Sequence, residues 1–77
     1  MEPAVAFGKV LRRLRKRAGL TQEQLGFEAD LRRTYISILE LGQQQPSLAT
    51  ILSLAGALSV SAKELIEQVE EELRRSG

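Results

Sequence analysis

The chain has 77 residues, 43% of them hydrophobic, with no cysteine, no histidine and a formal net charge of +1. That length suits one small domain, residues 1–77, and the composition excludes a disulfide framework and a thiolate metal site while removing the commonest general base. No stretch approaches the ~18 apolar residues of a membrane span and no signal-peptide pattern opens the chain, so a cytoplasmic protein without membrane, metal, cofactor or small-molecule ligand is expected.

The charge is unevenly divided. Residues 1–41 carry eight Lys or Arg against five Asp or Glu, a balance of +3, and residues 42–77 carry three against five, a balance of −2. A basic front and an acidic tail suit a protein that offers one face to a polyanion. The same pattern also fits a solvated basic helix.

Helical periodicity dominates the chain order. Phe7, Val10, Leu11, Leu14 and Ala18 recur at intervals of three and four, predicting a first helix that follows Pro3 and stops at Gly19. Arg12, Arg13, Lys16 and Arg17 read as its solvated face. Thr21-Gln22-Glu23-Gln24 has the form of a capping box, predicting a second helix from about Gln22 to Ala29 with Leu25 and Ala29 inward. Asp30 tolerates left-handed backbone, and a third helix follows from Arg33 to about Leu41, before Gly42. Leu31, Ile36 and Leu39 have the spacing to bury its far side.

Gln43, Gln44, Gln45 and Pro46 read as a polar loop. Ser47 is the expected N-cap of a fourth helix with Leu48, Ile51, Leu52, Ala55 and Leu58 inward. Ser61-Ala62-Lys63-Glu64 opens a fifth, about 62–75, with a stripe of Leu65, Ile66, Val69 and Leu73. No period-two alternation persists, so the expected fold is all-α, five compact helices.

Two short helices joined by a tight turn form the unit that lays its second helix in a major groove. Gly26 supplies the small residue for their close crossing. The run G-L-T-Q-E-Q-L-G-F-E-A-D-L-R-R-T-Y-I-S-I-L-E-L-G-Q-Q-Q-P-S-L, Gly19 to Leu48, resembles the phage-repressor/Cro type of helix-turn-helix transcriptional regulator. Extended from Phe7 through Ile66, the likeness covers about four-fifths of the chain. Arg33-Thr34-Tyr35-Ile36-Ser37 is also similar to the controller proteins of restriction–modification systems, a group of small dimers.

The resemblance implies a lambda repressor-like fold with its helix-turn-helix at about 21–41, and it implies roles for single residues. Arg33, Thr34, Ser37 and Ile38 match base-contacting positions on the recognition helix. Gln22, Tyr35, Gln43 and Gln44 match phosphate-contacting positions, with Gln45 in the same loop. Arg15 and Glu40 match a structural pair linking the first and third helices. Side-chain chemistry agrees at several of them. Arg33 can donate twice to guanine O6 and N7, Thr34 and Ile38 offer methyls suited to thymine, and Gln22 places an amide at a helix N-terminus where phosphate is favoured. The chain departs from the pattern in three ways: Asp30 replaces the usual turn glycine, Arg32 replaces a Ser or Thr cap, and Leu41 with the three glutamines replaces polar and basic residues.

The partners implied are double-stranded DNA and a second copy of the chain. The fifth-helix stripe, Leu65, Ile66, Val69 and Leu73, is the expected homodimer interface, with Leu48, Leu52 and Val60 able to join it; the same stripe also has the spacing to close the monomer. The leading function is operator-binding regulation of transcription. An antitoxin that autoregulates its operon is the alternative, its acidic tail from Glu67 to Glu72 meeting a toxin. An enzyme lacks support, since the carboxylates at 64, 67, 70, 71 and 72 lie on a charged helix face.

Overall fold

A computed structural model describes residues 1–76. Pro3 occupies the first turn of α1 (Pro3–Arg17), where its missing N–H removes no helical bond. Gly19, at φ 75°, turns the chain out of it. α2 (Gln22–Ala29) starts on a complete capping box: Thr21 Oγ1 accepts from the Gln24 N–H at 3.0 Å, and Gln24 Oε1 accepts from the Thr21 N–H at 2.9 Å. α3 (Arg33–Glu40) ends one residue earlier than its apolar pattern extends, with Leu41 as its C-cap and Gly42 following at φ 72°. α4 (Leu48–Ala57) is capped by Ser47, whose Oγ accepts from the Thr50 N–H. Ser61 does the same for α5 (Ala62–Ser76), accepting from the Glu64 N–H.

α1 packs on α3 and α5, α2 on α3 and α4, and α4 on α5. Leu11, Leu25, Ile36, Leu39, Leu54 and Leu65 are the large side chains that lose all contact with solvent, so every helix contributes to one core. No strand occurs among the described residues, and no single helix among them is long and apolar enough to cross a membrane.

The inward face of α4 differs from the expected one. Leu54, Ala55 and Leu58 are buried and Ile51 partly so, whereas Leu48 and Leu52 are 71% and 54% exposed. The helix is apolar nearly all round, so its spacing fits two registers, and packing against α2 and α5 selects one. The apolar stripe of α5 is mostly turned inward. Leu65 is fully buried and Val69 nearly so, and Leu73 packs against the same core from a partly buried position. These side chains close the monomer and leave only Ile66 of the expected interface stripe exposed.

Arg13, read as solvated, instead reaches α5. It donates to Glu72 Oε1 at 3.1 Å and to Gln68 Oε1 at 3.3 Å, and Arg75 lies 3.5 Å from the same Glu72 oxygen. Glu72 is thereby buried on the inner side of a helix whose outer side is acidic. A buried carboxylate needs such partners, because an unpaired charge is costly to desolvate.

Candidate nucleic-acid interface

The turn between α2 and α3 fixes how the third helix is offered to solvent. Asp30 takes left-handed backbone at φ 59°, ψ 43°, and the Leu31 N–H returns to Gly26 O at 2.7 Å. Gly26 has a more local role than the crossing of two helices. A Cβ there would stand 2.5 Å from the Leu31 carbonyl oxygen, so the glycine makes room for the turn itself. Arg32 gives α3 no side-chain cap, as its position in place of Ser or Thr leads one to expect.

Ile36 and Leu39 are wholly buried, which pins one side of α3 and presents the other. Arg33 and Thr34 are exposed on its first turn, with Arg32 just before them. Ser37 and Ile38, one turn on, are half-buried. Leu41 is 66% exposed at the end of the same helix. Tyr35 lies partly buried with its ring against the core. Gln43 and Gln44 are exposed in the loop after α3, where the Gln43 N–H donates to Ile38 O.

Gln22 stands at the first position of α2 and is half-buried. Two open depressions meet at it. One of about 490 Å³ is lined by Arg15, Thr21, Gln22, Glu23 and Arg33. The other, a cleft of about 170 Å³, lies among Arg12, Arg15, Gln22, Ser37, Glu40 and Leu41. The start of α2, the Gln22 amide and the guanidinium groups of Arg12 and Arg33, which make no ion pair among the described residues, therefore border these two depressions, an arrangement suited to phosphate oxygens.

Beneath that surface, Arg15 and Glu40 form a two-pronged ion pair. Arg15 Nε donates to Glu40 Oε2 at 2.6 Å and Nη2 to Oε1 at 3.1 Å, while Nη1 donates to the Leu20 carbonyl at 2.9 Å. Their side chains are 11% and 5% exposed. The hydrogen bond to Glu40 and its nearby charge hold the Arg15 guanidinium above its ordinary pKa, outweighing the opposite pull of burial. Glu40 accepts a further bond, from Gln22 Nε2 at 3.1 Å, which joins α1, α2 and α3 at one point. Helical spacing alone gives no sign of that third partner, since Gln22 and Glu40 lie on different elements.

A short helix, a left-handed turn and a second helix with a buried rear and an exposed front define the helix-turn-helix class of DNA-binding fold. The helix-turn-helix family profile matches residues 11–65, and the chain belongs to that family, as a Cro/C1-type transcriptional regulator. The control protein C.BamHI of Bacillus amyloliquefaciens is 42% identical over 62 residues, which cover 79% of this chain and 76% of that protein. The control protein C.MunI of a Mycoplasma species is 35% identical, covering 88% of this chain and 93% of its own. Among solved structures, the restriction–modification controller protein C.AhdI from Aeromonas hydrophila superposes with a TM-score of 0.78 at 47% identity, covering 80% of this chain and 94% of that one. These relatives lend no support to the antitoxin alternative.

Proposed function

We propose that the chain binds double-stranded DNA with sequence specificity and regulates transcription, without catalysis, as a homodimer on a two-fold symmetric operator. The observation that carries this reading is the division of α3, whose rear is sealed in the core by Ile36 and Leu39 while Arg33 and Thr34 stand free on its first turn. A helix held this way enters a groove without moving. Arg33 and Thr34 read base edges, with Ser37 and Ile38 one turn along. Gln22, Gln43, Gln44 and the Tyr35 hydroxyl contact phosphates and set the register. Residues 1–77 act as one domain, and the cytoplasm is its site of action.

The interface of the dimer is assigned to the outer face of α4 and α5 in place of the α5 stripe. Leu48 and Leu52, one turn apart on α4, and Ile66 on α5 are exposed apolar side chains on two helices that pack together. Ile51 and Leu73 lie partly buried on the same helices. Exposed apolar side chains on adjoining helices suit an association surface, and pairing two reading heads raises both affinity and selectivity.

Selection of bound duplexes from a random pool tests both parts of the reading. A two-fold symmetric consensus is expected, with affinity that falls as salt rises. An asymmetric consensus would overturn the symmetric dimer, and recovery of no consensus would overturn sequence-specific binding.

A further inference from the structure

Each oxygen of the Glu40 carboxylate already has a donor from the Arg15 fork without Gln22. The ion pair is complete without the bond from Gln22, whose consequence falls on Gln22 itself. A carboxylate only accepts hydrogen bonds, so the amide can turn only its NH2 end toward Glu40. One N–H is engaged there and a second is left on the same nitrogen. Gln22 lines the cleft of about 170 Å³ that Arg12 and Ser37 share. Arg12 is exposed and makes no ion pair among the described residues. Glu40 itself brings no net repulsion to an anion in that cleft, because Arg15 neutralises it.

We propose that Glu40 is a positioning residue for DNA: it locks the Gln22 amide with its donor end at the cleft, where one backbone phosphate is received between Gln22 and Arg12. This rests on the reading of the α2–α3 surface as the duplex-binding face. A long polar side chain loses rotamer freedom when it grips a phosphate. Here Glu40 has removed that freedom in the free protein, so the contact forms without the loss. The position of Glu40 in the last turn of α3 ties the phosphate grip to the same helix that carries Arg33. Register and base reading are thus set by one rigid piece.

A mutant cycle on the full chain separates positioning from simple support. Replacing Arg15 and Glu40 together by methionine removes the acceptor, keeps the net charge and fills the space, a change that buried ion pairs often tolerate. Fluorescence anisotropy on random duplexes and on the selected operator then gives the cost of Gln22→Ala in each background. The expected cost is about a hundredfold or more in the parent, as befits loss of a hydrogen bond to a charged group in both protomers, and at least about tenfold smaller in the Met/Met protein. Equal costs in the two backgrounds, with parent affinity intact, would overturn the proposal while leaving the DNA reading standing. Absence of duplex affinity in the parent would overturn both.

A second measurement needs no variant. In the free protein, NMR relaxation of side-chain amides should find Gln22 ordered, in contrast to the exposed Gln43, Gln44 and Gln45. A Gln22 amide as mobile as those three would overturn the positioning role.

Discussion

Gly8→Ala should destabilise the fold, although alanine is the better helix former. By propensity alone the substitution in the middle of α1 gains about 1 kcal/mol. The tertiary environment reverses the sign. A Cβ at residue 8 would stand 2.5 Å from the Leu39 carbonyl oxygen and 2.6 Å from that of Glu40, both backbone atoms of the last turn of α3. No rotamer change relieves contacts with backbone, so α1 and α3 must separate by close to ~1 Å to restore ordinary packing, and overpacking of this kind costs typically about 1–3 kcal/mol. The cost falls at its upper end here because a helix must move as a unit, giving a net loss of about 1–2 kcal/mol. For a domain of this size that lowers Tm by about 5–15 °C. Gly56→Ala is the matched control. It lies near the end of α4 with nothing within 4 Å of its would-be Cβ, so it should gain about 0.5 kcal/mol and melt a few degrees higher. Thermal denaturation by circular dichroism reads both, at one protein concentration and with sedimentation confirming the same oligomeric state. A Gly8→Ala protein that melts at or above the parent would refute the claim that the α1–α3 approach is fixed.

Arg33→Ala should weaken binding to the selected operator by about 1–3 kcal/mol and relax preference at one base pair per half-site, while random duplexes lose far less; equal losses on both would remove it from base reading. Leu52→Glu places a charge on the exposed α4 face and should shift the protein toward monomer in analytical ultracentrifugation, whereas an unchanged sedimentation coefficient would retire that face as the interface. Asp30→Gly relieves a non-glycine residue at φ 59° and should raise Tm by a few degrees, and a fall would mean that the Asp30 side chain holds the turn together. Three cations border the α2–α3 surface in each protomer, Arg12, Arg32 and Arg33, so a dimer that neutralises about six phosphates should give a slope of log affinity on log salt near −5. A slope near −10 would bring Lys9, Lys16 and Arg17 into the interface.

Local chemistry made most of the helix boundaries readable. Thr21 and Gln24 mark the start of α2 because their side chains satisfy its orphan donors, and Ser47 does so for α4. Asp30, Gly19 and Gly42 mark turns because each position needs positive φ. What the sequence left open depends on which face meets which neighbour. α4 has apolar residues on nearly every side, so Leu54 and Leu48 were equivalent by spacing and only the packing of α2 and α5 distinguishes them. Glu72 reads as one more acid on a polar face until Arg13 is found beside it. Gly8 reads as a weak point in a helix, because its purpose lies in a carbonyl some thirty residues away on another element. At the candidate site, the exposure of Arg33 and Thr34 at the start of α3 was legible from the spacing, whereas the bond from Gln22 to Glu40 depends on the crossing of two helices.

The basic front of the chain is less available to DNA than its charge balance implies. Arg15 is bound to Glu40 and Arg13 to Glu72, so two of the six cations on α1 hold helices together. With Leu41 and three glutamines following α3 where basic residues are usual for the family resemblance, few cations remain to grip phosphates without regard to sequence. Nonspecific affinity rises with each phosphate neutralised, so a sparse set of cations lowers the background against which a specific site competes. On the proposed reading, discrimination then rests on how rigidly Arg33 and Thr34 are carried and on pairing two such heads. Both conditions trace to the same packing: Ile36 and Leu39 fix α3 against α1, and the burial of Leu54, Ala55 and Leu58 turns Leu48 and Leu52 outward, where the proposed second copy would meet them.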